Sequence, residues 1–332
     1  MKTVKFVDFG PADEVLLLAD EAAPVPDANE VLIRVETSGV NPSDVKKRAG
    51  SAKSLLDEGF VVPHSDGAGV IVGVGENIPQ ERMGQRVWIY QAQYGRRFGT
   101  ASELIAIDDC RAPELPDAAS FEVGACLGIP AMTSHRCVFA DGDVSGQTIL
   151  VTGGAGRVGH YAIQWAKMGG AKVIASSSNS DDAQACKDAG ADAVVNHRES
   201  NFAEQILAAN EGQRIDRLVE VEFGANLEAV LKVLETGGTI ATYSSMQDPQ
   251  PSIPFYQMMY MDVTVRFVIV YAMPESAKQL AIDDINDALR NGKLVHRVTH
   301  VLPLEQCARA HEIIEQGKVR GCVVVTAQTV QD

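Results

Sequence analysis

The sequence lacks the features that mark membrane, secreted and nucleic-acid-binding proteins. No apolar run approaches the ~20 residues that a membrane-spanning helix requires, and the first residues, MKTVKFVDFGPADEV, contain too short an apolar stretch for a signal peptide. Basic residues are few: 29 lysines and arginines stand against 44 acidic residues, which gives a net charge of −15. Nucleic acids and anionic membranes repel a chain this acidic. We therefore expect a cytoplasmic protein that binds neither.

Paired cysteines are also lacking. The six cysteines are scattered, and no two form a Cys-x-x-Cys pair. In a long cytoplasmic chain such thiols are expected to stay reduced and to pack as small apolar side chains. The sequence thus favours packing over a redox or metal-binding role for them.

The chain has 332 residues, which are enough for two domains. Its first third and its remainder favour different secondary structures. The first third contains short β-rich runs separated by Gly, Pro and Asn/Asp clusters, which predicts a mostly β, barrel-like or partly open domain. From about Leu127 onward, short strands and helices alternate, which is typical of a parallel, doubly wound α/β sheet. The strands are predicted at 148–152, 172–175, 193–196, 218–221 and 239–243, and the helices at 160–168, 181–189, 202–209 and 227–234. Beyond them we predict a long strand over 263–271, a helix over 275–291, a helix over 304–316 and a strand over 322–326.

A glycine-rich loop joins the first strand of this sheet to its helix. Glycines let the backbone turn tightly and approach a pyrophosphate, and the N–H groups at the helix N-terminus bind its negative charge. Such glycines can also serve only the close packing of helix on strand. The preceding strand and the βαβ pattern that follows favour dinucleotide binding, and the residues predicted to bind are Gly153, Gly154, Ala155, Gly156, Arg157, Val158 and Gly159.

The residues that end the second strand bear on the choice of cofactor. An Asp or Glu there would bond the ribose 2′-hydroxyl and repel a 2′-phosphate. This sequence has Ser176, Ser177 and Ser178 instead, which leave room for the phosphate and favour NADPH. A serine in this place can also be a plain helix N-cap, and Asp181 and Asp182 count against a phosphate.

Three further segments indicate a family. They read GVNPSD at 39–44, SDGAG at 65–69 and LGIPAMT at 127–133, and all precede the glycine loop. In this order and spacing they resemble the zinc-free quinone oxidoreductases of the medium-chain dehydrogenase/reductase superfamily, the zeta-crystallin-like group. The resemblance covers essentially the whole chain. It implies a GroES-like catalytic domain over 1–124 and 268–332, interrupted by a Rossmann cofactor-binding domain over 125–267.

The resemblance also implies that the catalytic zinc of the superfamily's alcohol dehydrogenases is missing. By motif matching, their Cys, His and Cys ligands fall at Asn41, Ser65 and Ile129, none of which is a good zinc ligand. The four-cysteine structural zinc lobe is absent as well. His64 stands beside the lost histidine, but one histidine cannot build a site, and we expect it on a loop or cleft wall. We therefore predict no metal.

Hydride transfer without a metal needs an acceptor that is easily reduced. Quinones and α,β-unsaturated carbonyls meet that need when they are held against the nicotinamide. The resemblance places Asn41 and Thr133 at the nicotinamide site, although Asn41 is equally well explained as a turn residue before Pro42. Many relatives carry a tyrosine where this sequence has Lys46, a candidate for steering an anionic substrate or donating a proton, or else a solvated surface lysine.

The resemblance implies further cofactor contacts. His197 takes the place of a tyrosine near the adenine ribose phosphate, and Lys318 lies near a C-terminal phosphate contact. Asp182 falls where relatives have a phosphate-clamping lysine, which weakens the NADPH prediction. The contacts expected near the nicotinamide, unless they only pack a sheet edge, are Tyr243, Ser244, Phe267 and Val268.

Taken together, these residues predict an NADPH-dependent, zinc-free reductase of quinones or α,β-unsaturated carbonyls. The strand that contains Phe267, with the Tyr- and Met-rich segment 256–260, is also predicted as the seam of a homodimer. Two alternatives stay open. One is an alkenal double-bond reductase, and the other is a nicotinamide-binding sensor or crystallin-like protein with little catalysis, because no general acid is evident.

Overall fold

The computed structural model describes residues 1–327 and contains short helices and strands throughout. The strands are β1 (Lys2–Lys5), β2 (Leu17–Asp20), β3 (Glu30–Val40), β4 (Asp66–Val74), β5 (Arg86–Ile89), β6 (Leu104–Asp108), β7 (Thr148–Val151), β8 (Lys172–Ser177), β9 (Ala193–Asn196), β10 (Ile215–Glu220), β11 (Leu234–Thr242), β12 (Thr264–Phe267), β13 (Val298–Pro303) and β14 (Cys322–Thr326). The α-helices are α1 (Ala12–Val15), α2 (Pro42–Arg48), α3 (Phe121–Gly124), α4 (Met132–Phe139), α5 (Arg157–Met168), α6 (Ser180–Asp188), α7 (Phe202–Ala209), α8 (Phe223–Leu231), α9 (Phe255–Tyr260), α10 (Glu275–Arg290) and α11 (Cys307–Glu315).

The chain divides into two compact units. The first comprises Met1–Ile129 with the segment that begins at Ile282, and the second comprises Pro130–Ala281. The domain boundaries expected from the sequence, at 124/125 and 267/268, lie before both of these junctions. Each junction falls inside a helical segment, the π-helix Leu127–Ala131 and α10, so neither coincides with the end of an element.

The first unit is mostly β, as its short β-rich runs predict, and its strands pair mainly in antiparallel fashion. Its larger sheet has the order β13-β14-β3-β4-β5, with β6 also paired to β3. Along β3 the apolar side chains of Val31, Ile33 and Val35 are fully buried, because every second residue of a strand faces the same side. This face forms one core cluster, while α11 and β1 contribute to another.

The second unit contains the predicted parallel, doubly wound sheet. The strand order is β12-β11-β10-β7-β8-β9, and the sequence order reverses between β7 and β10. Ligands of such sheets bind in the crevice at the carboxyl ends of the strands beside this reversal. The glycine loop follows β7 and therefore lies at that point.

Several predicted elements of the second unit are wrong in extent, including the strands expected over 218–221 and 239–243, which begin at Ile215 and Leu234. The strand expected over 263–271 ends at Phe267, because β11, its partner, ends at Thr242, whose carbonyl accepts the Val268 N–H at 2.8 Å. The helix expected over 227–234 begins at Phe223 and ends at Leu231. Leu234 already pairs with Ile215 in the sheet.

No helix within residues 1–327 combines the length and the apolar character that crossing a membrane requires. None of the six cysteines forms a disulfide bond, and five of them are buried. The burial of these five agrees with the expectation that most of the cysteines pack as small apolar side chains.

Candidate active site

The glycine loop is tied to the end of the neighbouring strand β8. Gly153 has a left-handed backbone (φ +59°) that favours glycine. Its N–H donates to Ser176 Oγ at 3.1 Å, and the Gly154 N–H donates to Ser176 O at 3.0 Å. The Ser176 hydroxyl therefore supports the loop, a role that sequence reasoning did not assign to it.

The glycines of this loop meet different surroundings. A Cβ on Gly154 would lie 2.9 Å from Ala175 Cβ, and a Cβ on Gly159 would lie 2.4 Å from Gly153 O, so close packing requires both glycines. A Cβ on Gly156 would meet only Gly153 O, at 3.1 Å. Gly156 is also the N-cap of α5. An open backbone at the N-terminus of a twelve-residue helix fits the pyrophosphate of a dinucleotide.

The serines at the end of β8 and directly after it do not cap a helix. Asn179 is the N-cap of α6: its Oδ1 accepts the Asp182 N–H at 2.9 Å, and its Nδ2 donates to Asp182 Oδ2 at 2.8 Å. Asp182 is thereby buried at the start of α6. The structure brings the backbone of exposed His197 beside Ser177, whose carbonyl accepts the His197 N–H at 3.3 Å. The cap interpretation of the serines is therefore wrong, and no acidic residue ends β8.

A buried carboxyl group lies at the end of β10, beside the glycine loop's strand. Glu220 Oε1 accepts hydrogen bonds from Thr152 Oγ1 and Asn226 Nδ2, both at 2.9 Å, and burial raises the pKa of this carboxyl group. The Tyr243 N–H donates to Glu220 O at 3.2 Å. Sequence reasoning missed Glu220, although its position at the carboxyl end of a parallel strand was a usable signal.

The residues expected near the nicotinamide follow the adjoining strands of the same sheet. Ser244 O accepts the Phe223 N–H at 3.0 Å, and Val268 is buried. Phe267 is three-quarters exposed, and its ring lies edge-on to that of Phe223 at 5.8 Å. Tyr243 precedes Ser244 directly, so the predicted residues do gather at one end of the sheet.

In the first unit, the positions of the missing zinc ligands converge on Asp66. Asn41 Nδ2 donates to Asp66 Oδ2 at 2.9 Å, and the Ile129 N–H donates to the same oxygen at 2.8 Å. Ser65 is the preceding residue. Asn41 also stands at the N-cap of α2, where its own N–H donates to Asp44 Oδ2 at 2.9 Å. Asn41 is therefore a turn residue before Pro42, as one of the two interpretations predicts. Its side-chain amide also belongs to the polar cluster around Asp66.

The Asp66 carboxyl group is completely enclosed. It has no exposed surface, and a Cβ on Gly128 would lie 2.1 Å from its Oδ1. Burial raises the pKa of Asp66 to about 8, against the opposing effect of the Ile129 N–H. This packing explains why glycine stands at 128 in the π-helix.

Two adjacent lysines of α2 have different surroundings. Lys46 is exposed. Lys47 is half-buried, and its Nζ donates to Gln93 Oε1 at 2.8 Å and lies 3.5 Å from Ser65 Oγ. Burial lowers the pKa of Lys47, which the charges of Asp44 and Asp66 oppose. The sequence analysis singled out Lys46 and missed Lys47, although its spacing of three residues from Asp44 on a helix places the two close together.

The remaining predicted residues are described within their own units. Thr133 is buried in the first turn of α4, in the second unit. Lys318 is exposed after α11, in the first unit. His64 lies on the loop before β4, as expected, but it is fully buried and not on a cleft wall, with its Nε2 2.9 Å from His311 Nε2 and 3.7 Å from Cys307 Sγ.

Two family models match most of the chain between them. Residues 27–168 match the alcohol dehydrogenase GroES-like domain, and residues 158–287 match the zinc-binding dehydrogenase model. The matches cover the segments that carry the polar cluster around Asp66 and the glycine loop.

Several named proteins are similar to this chain over nearly its full length. The human quinone oxidoreductase is 31% identical over 320 residues, covering 96% of this chain and 94% of that protein. An NAD-dependent alcohol dehydrogenase superposes with a TM-score of 0.88 at 27% identity, covering 99% of this chain and all of that one. A mycobacterial protein in complex with NADPH superposes with a TM-score of 0.87 at 26% identity, covering 98% of this chain and all of that one.

Proposed function

Because this chain belongs to the quinone oxidoreductases of the medium-chain dehydrogenase/reductase superfamily, we propose that it is an NADPH-dependent reductase. Its acceptors are quinones or α,β-unsaturated carbonyls, and it reduces them by hydride transfer without a catalytic metal. The superfamily membership supports the hydride chemistry. The cofactor, the acceptor class and the absence of a metal rest on residues of this chain.

The groups at the three zinc-ligand positions carry the metal-free part of the proposal. They are the Asn41 amide, the Ser65 hydroxyl and, at Ile129, a backbone N–H that is bonded to Asp66. A zinc site is built from thiolate, imidazole and carboxylate ligands, and these positions offer none. Hydroxyl and amide groups instead suit hydrogen bonding to the oxygen of a carbonyl acceptor.

The second unit supplies the groups that would hold NADPH. The open backbone at Gly156 and the N-terminus of α5 suit the pyrophosphate, and Ser178 with His197 suits the 2′-phosphate. Tyr243, Ser244, Phe267 and Val268 are proposed to border the nicotinamide, and Lys318 to contribute a further charge to the phosphate. When bound, NADPH supplies the hydride.

Reduction of a quinone also needs a proton, since hydride alone leaves a hydroquinone anion. We assign that proton to Lys47 Nζ. The Lys47 side chain is already held by Gln93 and lies near Ser65, and its lowered pKa makes it a better donor than a solvated lysine. Solvent then returns the proton to the amine. Asn41 and Thr133 orient the acceptor and nicotinamide, while exposed Lys46 contributes at most steering of anionic acceptors.

One assay tests the activity. NADPH oxidation is followed with 1,4-naphthoquinone, with a 2-alkenal and with neither, using protein treated with a chelator. We expect turnover with the quinone that survives chelation, and a kcat/KM for NADPH above that for NADH. Turnover with the alkenal alone would identify an alkenal reductase. Cofactor binding without turnover on any acceptor would identify a sensor and overturn the proposal.

The strength of the NADPH preference is limited by the charges present. A surface charge pair contributes about 0.2–1 kcal/mol and a charge-assisted hydrogen bond about 1.5–3 kcal/mol. His197 and Lys318 therefore support a preference of roughly tenfold to a thousandfold. Equal kcat/KM values for NADPH and NADH would show that no residue of this chain binds the 2′-phosphate.

We also propose that the protein is a cytoplasmic homodimer. The edge strand β12 and helix α9 expose a group of large apolar side chains. The exposed residues are Phe255, Tyr256, Met259, Tyr260, Phe267 and Ile269. An unpaired strand edge beside such a surface suits pairing with the same edge of a second copy. The reduced cysteines and the acidic charge support the cytoplasmic location.

A further inference from the structure

Three metal-binding side chains meet in the interior of the first unit. His64, Cys307 and His311 are each no more than 1% exposed. The two Nε2 atoms lie 2.9 Å apart, His64 Nε2 lies 3.7 Å from Cys307 Sγ, and all three ligand atoms fall within 4.8 Å of one another. Within residues 1–327 this is the one group of His, Cys, Asp or Glu side chains with such convergence.

The backbone conformation that places His64 in this cluster is energetically unfavourable. Cys307 and His311 are four residues apart on α11 and therefore share one face of the helix. His64 has φ +79°, in the left-handed region where a side chain costs about 1–2 kcal/mol. Glycine would avoid that cost. The chain instead keeps a histidine there and directs its ring toward Cys307 and His311.

A chain of hydroxyl groups determines which nitrogen of His64 carries the proton. The Asp66 carbonyl can only accept, so Thr100 Oγ1, 2.6 Å away, donates to it. The Ser38 hydroxyl must then donate to Thr100 Oγ1 at 2.7 Å. Ser38 Oγ in turn accepts from His64 Nδ1 at 2.8 Å. His64 Nε2 therefore presents a lone pair to the cluster, and its other nitrogen is held as in metal-binding histidines generally.

His311 supplies the third ligand side chain, and hydrogen bonds within the described residues occupy only one of its two ring nitrogens. With His64 Nε2 deprotonated, the short contact requires His311 to donate from its own Nε2. His311 Nδ1 is buried and has no hydrogen-bond partner among the described residues. A metal ion would take the place of the shared proton, which would move to His311 Nδ1.

We propose that His64, Cys307 and His311 form a binding site for copper(I). One thiolate and two imidazoles suit copper in trigonal surroundings. With Cu⁺ the three ligands and the ion are neutral together, whereas Zn²⁺ would leave them with a net positive charge in a buried place. Zinc also prefers four ligands, and the described side chains supply three.

The observed separations need little change to accept an ion. Ligand distances of about 2.0–2.3 Å and an angle of roughly 115° reproduce the 3.7 Å between His64 Nε2 and Cys307 Sγ. The two Nε2 atoms must open by about half an ångström, which side-chain rotation provides. Binding releases one proton, from the Cys307 thiol, and oxidises nothing.

The test is an anaerobic titration of the Cys110→Ser protein with copper(I) in competition with bicinchoninate. Replacing Cys110 removes the one exposed thiol. We expect one equivalent of tightly held copper(I), with binding at least ~100-fold weaker in Cys307→Ala and in His64→Gly. X-ray absorption should report one sulfur and two nitrogen ligands. Cys137→Ala, which replaces a fully buried cysteine of the second unit, is the matched control and should bind as tightly as the parent.

Folding is checked separately, because the site lies in the core. His64→Gly relieves the positive φ and should fold even if Cys307→Ala does not. Copper(I) that is lost entirely to the competitor would overturn the proposal. Equal affinity in the folded His64→Gly protein, all-sulfur coordination, or displacement of copper(I) by one equivalent of zinc(II) would also overturn it. None of these readouts depends on reductase activity.

Discussion

Gly156 has a clear function at the level of a single residue. Gly156 is the N-cap of α5, and a Cβ there would meet only the carbonyl oxygen of Gly153, at 3.1 Å, so its backbone suits the approach of a pyrophosphate. We expect Gly156→Asp to weaken NADPH binding at least ~100-fold, because a carboxylate there repels the phosphates. Isothermal titration calorimetry measures the change.

A charge added elsewhere in the second unit serves as the control. Gln213 is exposed on the segment before β10, at the edge of the sheet opposite the strands' carboxyl ends, so Gln213→Glu adds the same charge away from the proposed site. Its affinity for NADPH should stay within about twofold of the parent. Unchanged affinity in Gly156→Asp would place the cofactor elsewhere.

Lys47 is the residue on which the proposed proton transfer depends. General acids contribute about 10²–10⁴-fold, so Lys47→Met should lower kcat with a quinone by about 100-fold, with little effect on KM for NADPH. The acid form of Lys47 is required. Activity of the parent should therefore fall as pH rises through the lowered pKa of Lys47, and this alkaline limb should vanish in the variant.

The adjacent lysine provides the matched control. Lys46 is exposed on the same helix, and Lys46→Met removes the same charge. Its alkaline limb should stay unchanged. A pH–rate profile that keeps its alkaline limb in Lys47→Met would assign the proton to another group.

At the level of elements, Asp141 joins three pieces of the second unit. It follows α4, and its carboxylate accepts from Arg217 of β10 at 2.6 Å and from Arg266 of β12 at 2.9 Å. The hydrogen bond from Arg266, together with Arg217, lowers the pKa of Asp141 to about 2, against the opposing effect of burial. Arg217 is buried and would lose a charged partner if this carboxylate were removed.

We expect Asp141→Asn to lower the free energy of unfolding at pH 7 by about 1–3 kcal/mol. A depressed pKa contributes stability that is present above the unfolded value of 3.8 and is lost as pH falls through about 2. The difference between parent and variant should therefore shrink between pH 4 and pH 2. Thermal unfolding followed by circular dichroism over that range provides the measurement.

Asp143 offers a control in the same turn. Its Oδ1 accepts the Ser145 N–H at 3.0 Å, a bond that Asn can also accept. Asp143→Asn should change Tm by no more than a degree or two. A constant difference between Asp141→Asn and the parent down to pH 2 would show that the carboxylate's charge contributes nothing.

At the level of the whole molecule, the exposed face of α9 and β12 predicts the oligomeric state. Tyr256 and Tyr260 are 70% and 80% exposed and are four residues apart on α9. In the proposed homodimer this face is covered, so the double substitution Tyr256→Glu/Tyr260→Glu should yield a monomer. Light scattering after size-exclusion chromatography distinguishes one chain from two.

Val25 is a suitable control because it is 85% exposed and belongs to the first unit. Val25→Glu adds a charge at an equally exposed apolar residue and should leave the dimer intact. A monomeric parent protein would contradict the proposal directly. Dissociation in the Val25→Glu protein would place the interface on the other unit.

The local signals in the sequence determined the two kinds of sheet. Short β-rich runs predicted the mostly β unit, and the alternation of short strands and helices predicted the parallel sheet, because such patterns act over a few neighbouring residues. Local signals did not predict where a strand ends, because that depends on the length of the strand with which it pairs. Residues 263–271 are rich in β-branched side chains, yet β12 ends at Phe267 because its partner strand ends.

Only the tertiary structure decided which side chains meet. Lys46 and Lys47 are neighbours in sequence, and burial alone selects Lys47. His64 and His311 are 247 residues apart, and no local pattern relates them. Contacts of this kind depend on how β4 and α11 pack in one core. Packing is a property of the folded chain, since it depends on shape and burial that a residue acquires only from distant parts of the sequence.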